Sequence, residues 1–187
     1  CPSQSGLIQP AEAVGRFARA HGILYLVDAC QSVGQMPIDV KAIGCHALTG
    51  TGRKFLRGPR GTGFLYVRKA LADRLEPVFV DLDSAKMKGK DGYTLAPGAK
   101  RFESWERNVA GQIALGKAAR YAMNIGLDEI AERVQALADD LRARLSDLDG
   151  VTVHDPGERR SSIVTFAKQG VDVADAKAKL RAQKINV

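Results

Sequence analysis

The sequence is poor in the residues that build metal centres and disulfide frameworks. It holds three cysteines and three histidines in 187 residues. Cys1, Cys30 and Cys45 match neither a zinc-site spacing nor a disulfide framework. His21, His46 and His154 are scattered, so no metal is expected. A sparse, odd cysteine count fits the reducing cytosol, and a cytoplasmic protein is expected. Aromatic residues make up 6%, with Trp105 the single tryptophan. They do not alternate with the basic residues as in a single-strand nucleic-acid platform, so nucleic acid is not the expected partner. No apolar run is long enough to span a bilayer, and no membrane association is expected. No Gly-Lys-Ser or Gly-Lys-Thr occurs, which excludes the phosphate loop of nucleotide-binding proteins. Internal repeats and low-complexity segments are absent. The chain starts on Cys1 without a basic-then-apolar leader, so no signal peptide is expected. It stops at Lys184–Val187 in what reads as the entry to a strand, and both ends are expected to be cut.

What remains is a globular composition: 45% hydrophobic and 26% charged residues. The length suits one sizeable core, or one domain and part of another. The formal charge of +7 has three readings: a nucleic-acid binder, an uneven solvated shell, or positive charge near an anionic cofactor. The last two are favoured.

Periodicity sets out an alternating layout. Ala11–Ala20 reads as a helix behind Pro10, with Val14, Phe17 and Ala18 on one face. His21-Gly22 stops it. Ile23–Val27 is short and apolar without alternation, as in a parallel strand covered on both sides. Val40–Ile43 is a short helical piece, Cys45–Thr49 and Phe64–Val67 are strands, and Arg68–Leu75 is helical. Pro77–Lys100 is polar and glycine-bearing and reads as a long surface loop. Trp105–Asn124 reads as one long alanine-rich helix. A second follows Asp128, with Ile130, Val134, Leu137, Leu141, Leu145 and Leu148 spaced by threes and fours. Val151–His154 and Ile163–Phe166 are strands, and Asp172 caps a last helix with Asp175 in support.

The chemistry gathers between Leu24 and Val67. The apolar run Leu24–Val27 ends on Asp28. Thr49-Gly50-Thr51-Gly52-Arg53 leads into Lys54, 26 positions later, and a glycine-rich basic turn follows. If both ends converge, the site has a carboxylate, an amine and hydroxyl and glycine groups able to cradle phosphate. That set suits pyridoxal phosphate, with the lysine carrying the aldehyde as an imine and the carboxylate keeping the ring nitrogen protonated. Each piece alone is ordinary: Asp28 could cap a helix start, and a lone lysine is most often surface. Cys30 and Cys45 read as small buried apolar residues.

Val27-Asp28-Ala29-Cys30-Gln31-Ser32-Val33-Gly34-Gln35, then Thr51-Gly52-Arg53-Lys54 and Gly58–Val67, resembles the class V aminotransferase family, which includes the cysteine desulfurases and isopenicillin N epimerase-like proteins. The resemblance implies an α/β type I pyridoxal-phosphate fold. Its mostly parallel mixed sheet would carry helices on both faces, with part of a small α+β carboxyl-terminal domain. Residues 1–125 would be part of the large cofactor-binding domain and 126–187 part of the small one. The resemblance implies pyridoxal 5'-phosphate as cofactor, with Lys54 as imine lysine and base, Asp28 on the ring nitrogen and Gln31 on the ring hydroxyl. Thr51 and Arg53 would bind the phosphate. Arg53 replaces a common histidine; arginine can bind phosphate bidentately but cannot shuttle a proton. Arg101–Asn108 matches the segment that reaches the neighbouring subunit, so a homodimer is implied. Glu106 falls there on a small hydroxyl position, where a carboxylate would repel phosphate, and Trp105 is as readily a core residue.

The expected activity is chemistry on a small-molecule amino acid: transamination, epimerisation or carbon–sulfur cleavage. Arg53 and Trp105 point away from a standard desulfurase and towards a lyase or epimerase-like member. The persulfide-forming cysteine of the desulfurases belongs to a segment beyond Val187. The rival class is a non-catalytic basic anion- or nucleic-acid-binding module using Arg53 to Arg68.

Overall fold

The computed structural model describes residues 1–187. They divide into two compact units, Pro10–Ile130 on the one hand and Cys1–Gln9 with Ala131–Val187 on the other.

The first unit opens with α1 (Ala11–Ala20), which ends at His21 before Gly22 turns the chain at φ 65°. β1 follows (Leu26–Asp28), then α2 (Val40–Ile43) and β2 (Ala47–Thr51). α2 starts where the Asp39 carboxylate accepts from the Lys41 and Ala42 amides at 2.7 and 3.2 Å. A cap of this kind stabilises a helix by about 1 kcal/mol. Gly44, at φ 72°, ends it. β3 (Gly63–Val67) completes a three-stranded sheet in the order β1-β2-β3. β1 and β2 run parallel with Asp28 opposite Thr49; β2 and β3 run antiparallel. The core behind β2 is Ala29, Ile43, Cys45 and Leu48, with Tyr25, Val27, Val33 and Tyr66 packed on it. α1 reaches α2 through Gly15, where a Cβ would stand 1.8 Å from the Ile43 carbonyl oxygen, so any larger residue forces the helices apart.

α3 is a single turn, Lys69–Ala72. The stretch read as one long loop contains a hairpin, β4 (Ala85–Met87) against β5 (Tyr93–Leu95), and a 3₁₀ turn over Gly98–Phe102. Strands of three residues carry too little alternation to register in the sequence. α4 spans Val109–Ile125 and starts later than Trp105. Its start is set by Asn108, whose side chain accepts from the Gly111 amide at 2.8 Å and fixes the first turn there. Trp105 is 60% exposed rather than core.

α5 (Leu127–Ser146) runs from the first unit into the second. In the second unit, β6 (Val151–Val153) pairs antiparallel with β7 (Phe166–Lys168), three residues later than the sequence suggested. α6 (Val173–Ala182) is capped by Asp172, which accepts from the Ala174 and Asp175 amides. The buried residues of α5 are Ala138 and Arg142, not the leucines of the expected stripe; Leu137 and Leu141 are about half exposed. Arg142 bonds Asp155 at 2.8 Å and the Ser161 and Ile163 carbonyls at 2.6 and 2.8 Å, which turns that face inward. Residues 6–8 join the same cluster: Ser161 donates to the Gly6 carbonyl and the Ile8 amide to that of Arg159.

The expected two-sided burial of β1 is not found. Leu24 and Leu26 are each 61% exposed. β1 is the edge strand, bonded on one side only, and a run this apolar is expected under cover on both faces.

Candidate functional site

Two parallel strands bring their carboxyl ends to one side. β1 ends on Asp28 and β2 on Thr51, and in open α/β sheets ligands bind beyond these ends. Asp28 does not cap a helix. Its Oδ1 accepts from the Cys30 amide at 2.9 Å, closing an Asx-type turn. The Ala29 amide donates to the Thr49 carbonyl at 2.9 Å, so the turn is anchored to β2.

The Asp28 carboxyl is held below the ordinary carboxylate value. The Cys30 thiol is the largest cause and the Cys30 amide the next; burial works against them, and the nearby Lys54 ammonium adds to the lowering. Asp28 is therefore an anion at neutral pH, exposed on the open side of the sheet. Cys30 is not the plain apolar residue that the sequence suggested. Burial, then its hydrogen bond to Asp28 and that carboxylate's charge, push its thiol up, while Lys54 and the Thr49 hydroxyl pull the other way. It stays protonated, half-buried and in polar company. Cys45 is the buried one, at 0% exposure.

Lys54 lies three residues past β2, close enough to Asp28 and Cys30 to act on both. The structure thus brings together Asp28, Cys30, Thr49 and Lys54. Thr51 ends β2 with its hydroxyl donating to the Thr62 carbonyl at 3.4 Å. Arg53 is exposed. Gln31 lies in the turn after Asp28, half-buried, and its carbonyl accepts from the Gln35 side-chain amide. The glycine cradle is not built as expected. The Gly52 amide donates to the Thr62 carbonyl at 2.8 Å and the Gly58 amide to the Gly52 carbonyl at 2.7 Å. Those amides close the turn between β2 and β3 and are spent there. The Arg53 guanidinium is exposed and open to an anion, and the Thr51 hydroxyl joins it only by giving up its 3.4 Å bond to the Thr62 carbonyl. Sequence reasoning missed Cys30 as a polar partner of Asp28, whose signal is the i, i+2 step; Thr49 faces Asp28 only by strand register, which is visible once the strands are paired.

A carboxylate at one strand end and an amine three residues past its parallel neighbour lie at the carboxyl edge of the sheet, where α/β proteins bind ligands. The class is narrowed by comparison with known proteins. The profile of the family described as Aminotransferase class-V matches residues 2–187, and the chain belongs to that family. A protein named "Probable cysteine desulfurase" from Methanothermobacter thermautotrophicus is 35% identical over 170 residues, which are 91% of this chain and 42% of the relative. One of the same name from Halalkalibacterium halodurans is 36% identical over 182 residues, 97% of this chain and 44% of the relative. The solved cysteine desulfurase of Thermococcus onnurineus NA1 superposes with a TM-score of 0.92 at 31% identity, covering 98% of this chain and 46% of that one. The fold is the type I pyridoxal-phosphate fold, and the chain spans under half the length of these relatives.

Proposed function

We propose that the protein is a pyridoxal-phosphate-dependent carbon–sulfur lyase of the desulfurase type, acting on a sulfur-containing amino acid. The observation that carries the reading is an exposed Asp28 at the end of β1, with Lys54 three residues beyond the end of the adjacent parallel strand and within electrostatic reach of it. The names of the relatives support carbon–sulfur cleavage over transamination or epimerisation. The unit Pro10–Ile130, which overlaps the expected 1–125, then serves as part of the cofactor-binding domain.

The donor set fits the cofactor. Asp28 supplies a carboxylate that is already ionised and open to a partner. Thr51 and Arg53 supply a hydroxyl and a guanidinium for the phosphate, Gln31 an amide for the ring hydroxyl, and Lys54 the amine that joins the aldehyde. The cofactor, when bound, supplies an electron sink for charge developing at the substrate's α-carbon. Asp28 holds the ring nitrogen's proton by a charge-assisted bond. Lys54 Nζ then takes the proton from the substrate's Cα and can return it. A guanidinium stays charged and cannot serve as a general base, so proton transfer rests on Lys54 rather than Arg53.

A homodimer is the proposed assembly. Val78 and Phe79 are 89% and 87% exposed and Trp105 60%, a run of apolar side chains of the kind that marks an interface. Light scattering that finds only monomers in an active, cofactor-loaded protein would defeat this.

The test of the cofactor reading is colour. The protein should be yellow, and borohydride should fix the chromophore to it. Lys54→Ala should leave it unfixed. A colourless protein that binds nucleic acid in a salt-sensitive way would support the basic-module reading instead.

A further inference from the structure

We propose that Arg57, through its contact with Tyr121, is a positioning residue that holds the turn bearing Lys54 against α4. The proposal rests on the cofactor reading of Lys54 given above.

The turn is closed at two levels. The Arg57 amide donates to the Lys54 carbonyl at 2.8 Å, and the Gly58 amide donates to the Gly52 carbonyl at 2.7 Å. Lys54 therefore opens a tight turn that Arg57 ends. α4 backs the base of that turn. A Cβ at Gly52 or Gly58 would stand 2.9 or 3.3 Å from Leu115 Cδ1, so the two glycines let the helix come close. Further along, the turn and α4 line a cleft of about 600 Å³, Arg57 from the one side and Tyr121 from the other. The two meet there: the Arg57 Cζ lies 5.1 Å from the centre of the Tyr121 ring, within the reach of a cation–π contact.

Arg57 sits at φ 59°, in the left-handed region that a residue with a Cβ disfavours. The one other non-glycine residue there, Lys184, follows the end of α6, where that conformation is common. Glycine at position 57 would adopt the turn without strain. A strained residue persists only where its surroundings fix it, and such residues cluster at functional sites. Here the strain lies three residues from the amine, and the side chain that carries it is fastened on Tyr121. Lys54 Nζ must stand in attack position to meet an aldehyde, and a turn free to swing leaves the amine misplaced for part of the time. Tyr121 is 56% exposed, so the contact is worth a few-fold in rate rather than orders of magnitude.

Tyr121→Leu tests the contact and leaves every charge in place, so the attraction for an anion is unchanged. In the cofactor-free protein, hydrogen exchange of the Arg57 amide reads the opening of the turn. Tyr121→Leu should speed it roughly 2- to 5-fold, the factor to which an exposed cation–π contact corresponds. Tyr121→Phe, which keeps a ring face, should leave it near wild type. Uptake of pyridoxal phosphate by Lys54, followed as the growth of colour at a fixed cofactor concentration, should slow by the same factor in Tyr121→Leu and recover in Tyr121→Phe. Arg57→Gly removes the same contact, and adding Tyr121→Leu to it should slow uptake no further; a further slowing would show Tyr121 acting without Arg57 and overturn the proposal. Exchange and uptake both at wild-type rates in Tyr121→Leu would overturn it too, while borohydride fixation on Lys54 left the cofactor reading intact. Faster exchange with unchanged uptake would make the contact a structural one and equally overturn the role towards Lys54. A wild-type protein that takes no label on Lys54 would overturn the cofactor reading and the proposal with it. Should Tyr121→Leu not fold, unslowed uptake in Arg57→Gly overturns the proposal.

Discussion

Asp28 and Asp155 are both kept ionised, by opposite means. Asp155 has a fully buried side chain. Burial pushes its carboxyl up, but the Thr165 hydroxyl, the Arg142 guanidinium and the Gly6 and Thr165 amides outweigh it and hold the group below the usual value. Those donors lie at 2.6, 2.8, 2.9 and 3.0 Å. Nothing is left for a ligand to bond. Asp28 is exposed, leans on one turn residue, and faces a lysine. The difference teaches how to tell a carboxylate that holds a fold from one that waits for a partner. The saturated, dry one is structural, and the open one beside an opposite charge is available for chemistry.

Breaking the saturated site should have the largest effect. Asp155→Ala removes the buried acceptor of four donors and leaves the buried Arg142 only the half-exposed Asp139 as counter-charge, and should destabilise by about 3 kcal/mol or more in urea unfolding. An effect under about 1 kcal/mol, the range of a surface pair, would mean that the two sites differ less than their burial suggests. Asp28→Asn should do the converse: a change in unfolding free energy within about 0.5 kcal/mol, with turnover lowered about 100-fold or more, roughly 2.7 kcal/mol of transition-state stabilisation. A variant at near wild-type rate would remove Asp28 from the ring-nitrogen role. Gly6→Ala sharpens the comparison from the backbone side. A Cβ there would stand 2.6 Å from the Ile163 carbonyl oxygen and 2.7 Å from the Arg142 guanidinium, and overpacking of this kind costs about 1–3 kcal/mol.

The smallest effect is in pH dependence. Asp155 has a lower pKa folded than unfolded, so its contribution is present above the unfolded value of about 3.9 and is lost as pH falls through the folded value. Within that window wild type should lose stability more steeply than Asp155→Asn, by up to about 1.4 kcal/mol per pH unit. Equal slopes would place the Asp155 shift elsewhere.

The two sites also differ in how legible they were. Asp28 announces itself, because an apolar run that stops on a carboxylate is a strand end in the sequence. Lys54 follows from its own turn. Asp172 as a cap was equally plain, since capping is local. The Arg142–Asp155 pair left no trace. Its members are thirteen residues apart across a loop, and an arginine one place after Leu141 reads as the solvated side of a helix. The leucine stripe of α5 misled for the same reason: spacing finds an apolar face, but the partner for that face is decided by tertiary bonds. The glycines of Gly50–Gly58 looked like an anion cradle because glycine composition does not say which amides are already bonded.

The central claim is that Asp28 and Lys54 form one cofactor site, and the most direct measurement is the position of the covalent label. The yellow protein is reduced with borohydride, digested and mapped. The account predicts the reduced adduct on Lys54 alone, lost in Lys54→Ala. A label on Lys69, Lys86 or any other lysine, with Lys54 unmodified, would contradict it.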